Sequence, residues 1–156
     1  MKNLYLIRHA KSSWKEPHIS DYERPLNKRG LHDAPLMADK VTKVYPSPDR
    51  IFSSGAKRAA LTTDHFISSW ELDKQAYHIE KELYLCSFSL LEQFALNLFE
   101  KYNTIAIVAH NPSIENFLTI NCNFKEGKFP TCGFAKVSYN NGDWNLDAFH
   151  YPKLYY

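Results

Sequence analysis

Cysteine is scarce in this chain of 156 residues: Cys86, Cys122 and Cys132 are odd in number and show no C-x-x-C spacing. That pattern suggests neither a disulfide framework nor a zinc site, and it reads most simply as free buried thiols. Clustered carboxylate ligands are missing too, so neither a metal nor another cofactor is expected. No sign of charge dominates: the formal net charge is +2, and no Lys/Arg run reaches the density of a basic arm. Nucleic acid is therefore not an expected partner. The first apolar run is about five residues long and is cut by Arg8, too short for a signal-peptide core or a membrane span. A cytoplasmic location without a membrane partner is the expectation. There is no internal repeat and no linker-like stretch.

Hydrophobic residues make up 44% and charged residues 23% of the chain, ordinary proportions for a globular protein. A chain of this length can bury roughly 70% of the surface its unfolded form exposes, so a single domain over residues 1–156 is expected.

Leu4-Tyr5-Leu6-Ile7 reads as a buried strand that breaks off into Arg8 and His9. Lys11 to Asn27, with Pro17, Asp21 and Pro25, is turn-rich and reads as a loop over the strand ends. Asn27 can cap a helix from Lys28 to Lys43, in which Pro35 is expected to kink the first turns or mark a later start. A second strand over Arg50–Ser54 is followed by a turn at Gly55 and a helix from Ala56 to Ile67. A weaker strand lies near Tyr77 to Glu80. Leu90, Leu91, Phe94, Leu98 and Phe99 recur at helical spacing within Ser87–Tyr102, behind a serine cap. Thr104–Ala109 is apolar on both faces, as a central parallel strand would be. Pro112 fits the first position of a helix that continues from Ser113 to Thr119. Finally, Phe134–Tyr139 and Trp144–Phe149 alternate around Asn140-Asn141-Gly142-Asp143, a hairpin signal. The pattern implies an α/β fold: a three-layer αβα sandwich with a mostly parallel central sheet and a C-terminal hairpin.

Three of these strands end alike. Ile7 runs into Arg8-His9, Phe52 into Ser53-Ser54 with Arg58 in the next helix, and Ala109 into His110-Asn111. If the three are neighbours, two histidines and two arginines converge on the crevice at the carboxyl ends of the strands, beside helix N-termini that attract anions. Such a group suits a phosphate without a metal ion.

Arg8-His9-Ala10, Arg24-Pro25-Leu26-x-x-x-Gly30, Ser54-x-x-x-Arg58-Ala59-x-x-Thr62, Glu82-Leu83-Tyr84 and His110-Asn111-Pro112 together resemble the histidine phosphatase superfamily, also called phosphoglycerate-mutase-like. The short chain and the run Arg8-His9-Ala10-Lys11-Ser12 are most similar to its small phosphohistidine phosphatase branch. Gly55 stands where the family often has proline, and Leu61 where it often has glutamine. The resemblance implies that His9 is the nucleophile and Glu82 the proton donor. It further implies that Arg8, Arg58, His110 and Asn111 bind phosphate, with His110 also counted among the catalytic groups. A backbone carbonyl or loop acceptor is expected to fix the second nitrogen of His9, and His110, if protonated, to act as an extra donor. The implied activity is metal-independent removal of phosphate from phosphohistidine in a protein, through a phosphohistidine enzyme intermediate. Two alternatives remain: a broad phosphatase of small phosphate esters, and a non-catalytic module that binds phosphorylated proteins with the same pocket. No cap-sized insertion precedes the helix from Ser87, so the crevice is expected to be open.

Overall fold

The computed structural model describes residues 1–156. Six strands form one sheet in the order β3-β2-β4-β1-β5-β6. These are β1 (Lys2–Arg8), β2 (Arg50–Ser53), β3 (Tyr77–Ile79), β4 (Thr104–Ala109), β5 (Phe134–Asn140) and β6 (Asp143–His150). The first four run parallel; β5 lies antiparallel to β1, and β6 antiparallel to β5. The four helices are α1 (Lys28–Thr42), α2 (Lys57–Trp70), α3 (Phe88–Leu98) and α4 (Ser113–Cys122).

Alternation along the central strands divides the core into two apolar layers. Leu4 and Leu6 of β1, with Ile105 and Ile107 of β4, face Leu91 and Ala95 of α3 and Ile114, Phe117 and Leu118 of α4. Tyr5 and Ile7, with Ala106 and Val108, face Ala34, Met37, Ala38 and Val41 of α1 and Ala59, Phe66 and Trp70 of α2. Strands apolar on both faces are what a sheet covered on both sides requires, and the three-layer αβα arrangement follows. No helix is long and apolar enough to cross a membrane.

Several boundaries differ from the sequence reading. Pro35 neither breaks α1 nor delays its start. Asn27 Oδ1 accepts the Gly30 amide at 2.9 Å, and the exposed proline removes a single helical hydrogen bond on the solvent side. Leu31, which fitted the apolar spacing, is 58% exposed. Helix α3 stops at Leu98 rather than Tyr102 because the amides of Glu100 and Lys101 turn back to Asn97 and Leu98, one residue short of helical spacing. Helix α4 starts at Ser113, with Pro112 as its flanking residue.

The loop after β1 is more ordered than its turn-rich composition suggests. Ser12 bridges to Leu26, the Asn27 amide donates to the Lys11 carbonyl at 3.0 Å, and Asp21–Glu23 form a short 3-10 helix. Gly30 explains how α1 approaches this loop so closely: a Cβ there would stand 2.1 Å from the Lys11 carbonyl oxygen. Gly30→Ala must therefore push the segment that follows His9 off the helix. A cost of about 1–3 kcal/mol is expected for the forced overlap. At roughly 2–4 °C per kcal/mol for a chain of this size, thermal unfolding should show a drop of several degrees. An unchanged melting temperature would refute the close contact.

Candidate active site

Strand order places the three charged strand ends side by side, since β4 lies between β1 and β2. Arg8 is the last residue of β1 and pairs with Ala109, so His9 and His110 leave adjacent strands at the same level. Their ring centroids lie 5.1 Å apart. Arg58 reaches the same place from the first turn of α2. His9, Arg58 and His110 are buried, and Arg8 is half-buried. With Arg24 and Trp14, the groups Arg8, His9 and Arg58 line an open hollow of about 170 Å³. A larger hollow of about 600 Å³, near Arg29, His32 and Tyr156, shares no residue with it.

Each side chain of the site is held by named partners. His9 Nδ1 lies 2.8 Å from the Ala10 carbonyl oxygen, which can only accept, so Nδ1 carries the proton and the lone pair sits on Nε2. This is the backbone carbonyl anticipated for the second nitrogen. The Ala10 amide in turn donates to Thr62 Oγ1 at 2.9 Å, and Thr62 donates to the Arg58 carbonyl, tying the histidine turn to α2. Burial first, and then the neighbouring His110, Arg58 and Arg8, push the His9 pKa well below that of an ordinary histidine, against the Ala10 hydrogen bond, which raises it.

His110 Nε2 lies 2.7 Å from Ser54 Oγ, and the same oxygen accepts the Ala56 amide at 3.2 Å. The buried Ser54 hydroxyl has no other acceptor within hydrogen-bond distance, so its proton goes to Nε2, and the His110 proton then resides on Nδ1. Burial, reinforced by Arg58 and Arg8, lowers the His110 pKa to about 3. The condition of a protonated His110 is thus not met in the free protein near neutral pH; the ring is neutral and donates only through Nδ1–H. That nitrogen is buried and has no hydrogen-bond partner.

Arg8 shows the same feature. Its Nη1 donates to the Phe129 carbonyl at 2.9 Å, while Nε is buried without a partner. The edge formed by Nε and Nη2 is left for a two-oxygen ligand. Arg58 is more committed than its residue type suggested. Nη1 donates to the Asp21 carbonyl at 2.6 Å and Nη2 to Asp21 Oδ2 at 3.0 Å, so each keeps a single N–H for another acceptor.

The structure does not bring all the anticipated residues together. Asn111 spends its side chain on the backbone: Nδ2 donates to the Phe129 carbonyl at 3.0 Å, and Oδ1 accepts the Glu115 amide. It anchors the same carbonyl that holds Arg8. Glu82 lies in a short 3-10 helix over Lys81–Leu83, exposed, without a hydrogen bond or ion pair and outside the hollow's lining.

Sequence reasoning missed Asp21 altogether. Its carboxylate takes Arg58, Arg24 Nη1 at 2.8 Å and a short hydrogen bond from the Tyr84 hydroxyl. Those bonds, Tyr84 foremost, hold it well below the usual carboxylate range. Arg24 and Tyr84 stood in recognisable motifs without a role; both serve this carboxylate. The available signal was chemical, since a buried arginine at an anion site needs a counter-charge when the anion is away. No three His, Cys, Asp or Glu side chains gather where they could share a metal ion.

Geometry and electrostatics together set a histidine lone pair among buried cationic and neutral donors, an arrangement that suits a small oxyanion. The chain belongs to the histidine phosphatase superfamily (branch 1), whose family model matches residues 4–94. It is similar to the SixA protein of Agrobacterium tumefaciens, assigned as a phosphohistidine phosphatase. The two are 27% identical, the match covers 97% of this chain and 98% of that one, and the TM-score is 0.88. A protein histidine phosphatase SixA solved with tungstate shares the fold at 22% identity, over 97% of this chain and 98% of that one, with a TM-score of 0.82. An uncharacterised protein of Mycobacterium tuberculosis (strain H37Rv) is 26% identical over 94% of this chain and 100% of its own length. Family and fold make this chain a phosphatase.

Two buried histidines that stay neutral carry a pH signature. A histidine with a depressed folded pKa binds its proton more readily in the unfolded chain, where the value is about 6.5, so its contribution to stability is full above that pH and declines as pH falls below it. Histidine-ring NMR titration of the free protein should find His110 unprotonated from pH 8 down to about 5, and His9 protonating only well below the range of an ordinary histidine. An inflection for either ring near 6.5 would contradict the assigned tautomers and burial.

Proposed function

We propose that this protein is a metal-independent phosphatase in which His9 Nε2 attacks phosphorus and carries the phosphoryl group as a phosphohistidine, with phosphohistidine in a protein as the substrate. The observation that supports it most is the pair of buried donors without partners, Arg8 Nε and His110 Nδ1, beside a histidine whose Nε2 lone pair is free. Buried polar groups normally find partners, and orphaned donors around a nucleophile suit an oxyanion.

In this mechanism the phosphoryl oxygens sit against the open edge of Arg8, the remaining N–H groups of Arg58 and the Nδ1–H of His110. These donors offset the charge spread over the equatorial oxygens in the transition state. Asp21 fixes Arg58 and balances its charge before substrate arrives. Asn111 and the Phe129 carbonyl orient Arg8. Ser54 keeps the His110 proton on Nδ1. Attack by His9 Nε2 forms the N–P bond as the leaving group departs, a substrate imidazole taking a proton from water on its other nitrogen so that it leaves neutral. Water then attacks phosphorus and the N–P bond breaks, with the electron pair returning to Nε2. His9 needs no proton removed before it reacts, because its lone pair is already on the attacking atom at neutral pH.

The leaving group decides between substrate classes. Asp21, the carboxylate that bonds Arg58 and Arg24, is held ionised and cannot supply a proton, while Glu82 stands exposed outside the hollow. An alkoxide leaves badly without a proton donor, whose contribution is typically about 10² to 10⁴-fold, whereas an imidazole is itself a workable leaving base. This favours phosphohistidine over simple esters and assigns Glu82 a donor role only where an ester must be cleaved. Assay of a phosphohistidine peptide and an alkyl phosphate, with chelator present, tests the reading. The peptide is expected to be preferred by about 10²-fold or more in kcat/KM, and Glu82→Gln should change peptide turnover little. Equal kcat/KM on both substrates would favour the broad ester phosphatase, and phosphopeptide binding without turnover the non-catalytic module.

A further inference from the structure

Trp14 has no part in the chemistry above, yet it lines the same hollow as His9. It is 76% exposed, whereas His9 is 7% exposed, so the hollow runs from a buried histidine to an indole at its solvent edge. An exposed tryptophan would ordinarily be free to change rotamer. This one is stacked on a cation that cannot move: the Arg24 guanidinium carbon lies 3.3 Å from the ring centroid. Arg24 is itself buried and pinned at three points, with Nε on the Ser13 carbonyl at 2.9 Å, Nη1 on Asp21 and Nη2 on Ser12 Oγ. The backbone on either side of the ring is fixed as well, through the Ser13 amide on the Pro25 carbonyl and the Lys15 amide on Ser13 Oγ. One indole face is thus held against Arg24, and no other aromatic ring packs on Trp14.

We propose that Trp14 is the leaving-group subsite of this phosphatase, a stacking wall that selects substrates whose phosphoryl group is attached to a planar, uncharged aromatic ring. The inference rests on the proposed function, because the direction of attack fixes where the leaving group lies. Transfer to His9 is in line, so the departing atom is on the side of phosphorus away from the buried histidine, towards the solvent edge where the indole stands. A flat ring there can stack, while a short alkyl group cannot. The cation behind the indole draws on its π-density and weakens it as a partner for a second cation, so a neutral imidazole or phenyl ring is favoured over a charged alkylamine.

Equilibrium binding separates this from the catalytic reading, using phenylphosphonate, methylphosphonate and inorganic phosphate with the parent, Trp14→Phe and Trp14→Ala. In the parent, phenylphosphonate should bind roughly 2- to 12-fold more tightly than methylphosphonate, the range of an aromatic pair. Trp14→Phe should keep most of that preference and Trp14→Ala should abolish it, with inorganic phosphate bound equally by all three proteins. A phenyl preference that survives Trp14→Ala, or is missing from the parent, overturns the subsite. So does a loss in Trp14→Ala that is equal for all three ligands, which would mark a structural effect. A parent that binds none of the three anions overturns the phosphatase reading itself, an outcome distinct from failure of the wall.

Discussion

Replacement of His9 by alanine is expected to reduce kcat by at least about 10⁴-fold, the scale on which removal of a covalent nucleophile acts, without unfolding the protein. The Ala10 amide remains bonded to Thr62 and the His9 carbonyl to the Cys132 amide, so the turn that carries the residue keeps its anchors when the ring is removed. The imidazole lies between cationic and neutral donors, and its loss relieves desolvation rather than breaking an ion pair. Kinetics and thermal unfolding of the same preparation check both parts: activity should collapse while the melting temperature stays within a few degrees of the parent. Retention of more than a tenth of the parent's kcat would remove His9 from the nucleophile role.

Arg8→Ala should produce the second largest effect. Its open edge is the least committed set of charged donors in the site, because the only bond that Arg8 makes through its side chain is to the Phe129 carbonyl. Loss of a donor aimed at developing charge typically costs about 10²- to 10³-fold, and kcat/KM for phosphohistidine peptide should fall by that amount. Arg8→Lys should recover little, since an ammonium cannot present two parallel N–H groups to two oxygens. The Phe129 carbonyl keeps Asn111 as a partner, so the loop is expected to hold. A loss below about threefold for Arg8→Ala would show that Arg8 serves the fold and not the phosphoryl group.

How far the sequence foretold this arrangement depends on the range of the interactions involved. Strand β4, the α3 cap at Ser87 and the hairpin were visible because each follows from local patterning, whether a run apolar on both faces, a serine that accepts the Leu90 amide, or turn residues between alternating segments. The meeting of Arg8, His9, Arg58 and His110 was also legible, because charged residues at the ends of adjacent parallel strands must share one edge of the sheet. Groups defined by contact across the chain were not legible. Asp21 reads as an ordinary turn residue until Arg58, 37 positions away, and Tyr84, 63 positions away, are seen to converge on it. Asn111 looked like a phosphate ligand because it follows His110, whereas its amide is claimed by a carbonyl 18 residues further on. Whether His110 carries a proton was left open by the sequence for an electrostatic reason. Burial and two arginines outweigh the attraction of one carboxylate, a balance no linear motif records.

The most direct measurement is rapid quenching of the protein with labelled phosphohistidine peptide or phosphoramidate, followed by mapping of the label. An adduct that survives alkali, is lost in acid, maps to His9 and is missing from His9→Ala is the predicted result. Label on another residue, an undiminished adduct in His9→Ala, or turnover with no phosphoenzyme under single-turnover conditions would contradict it.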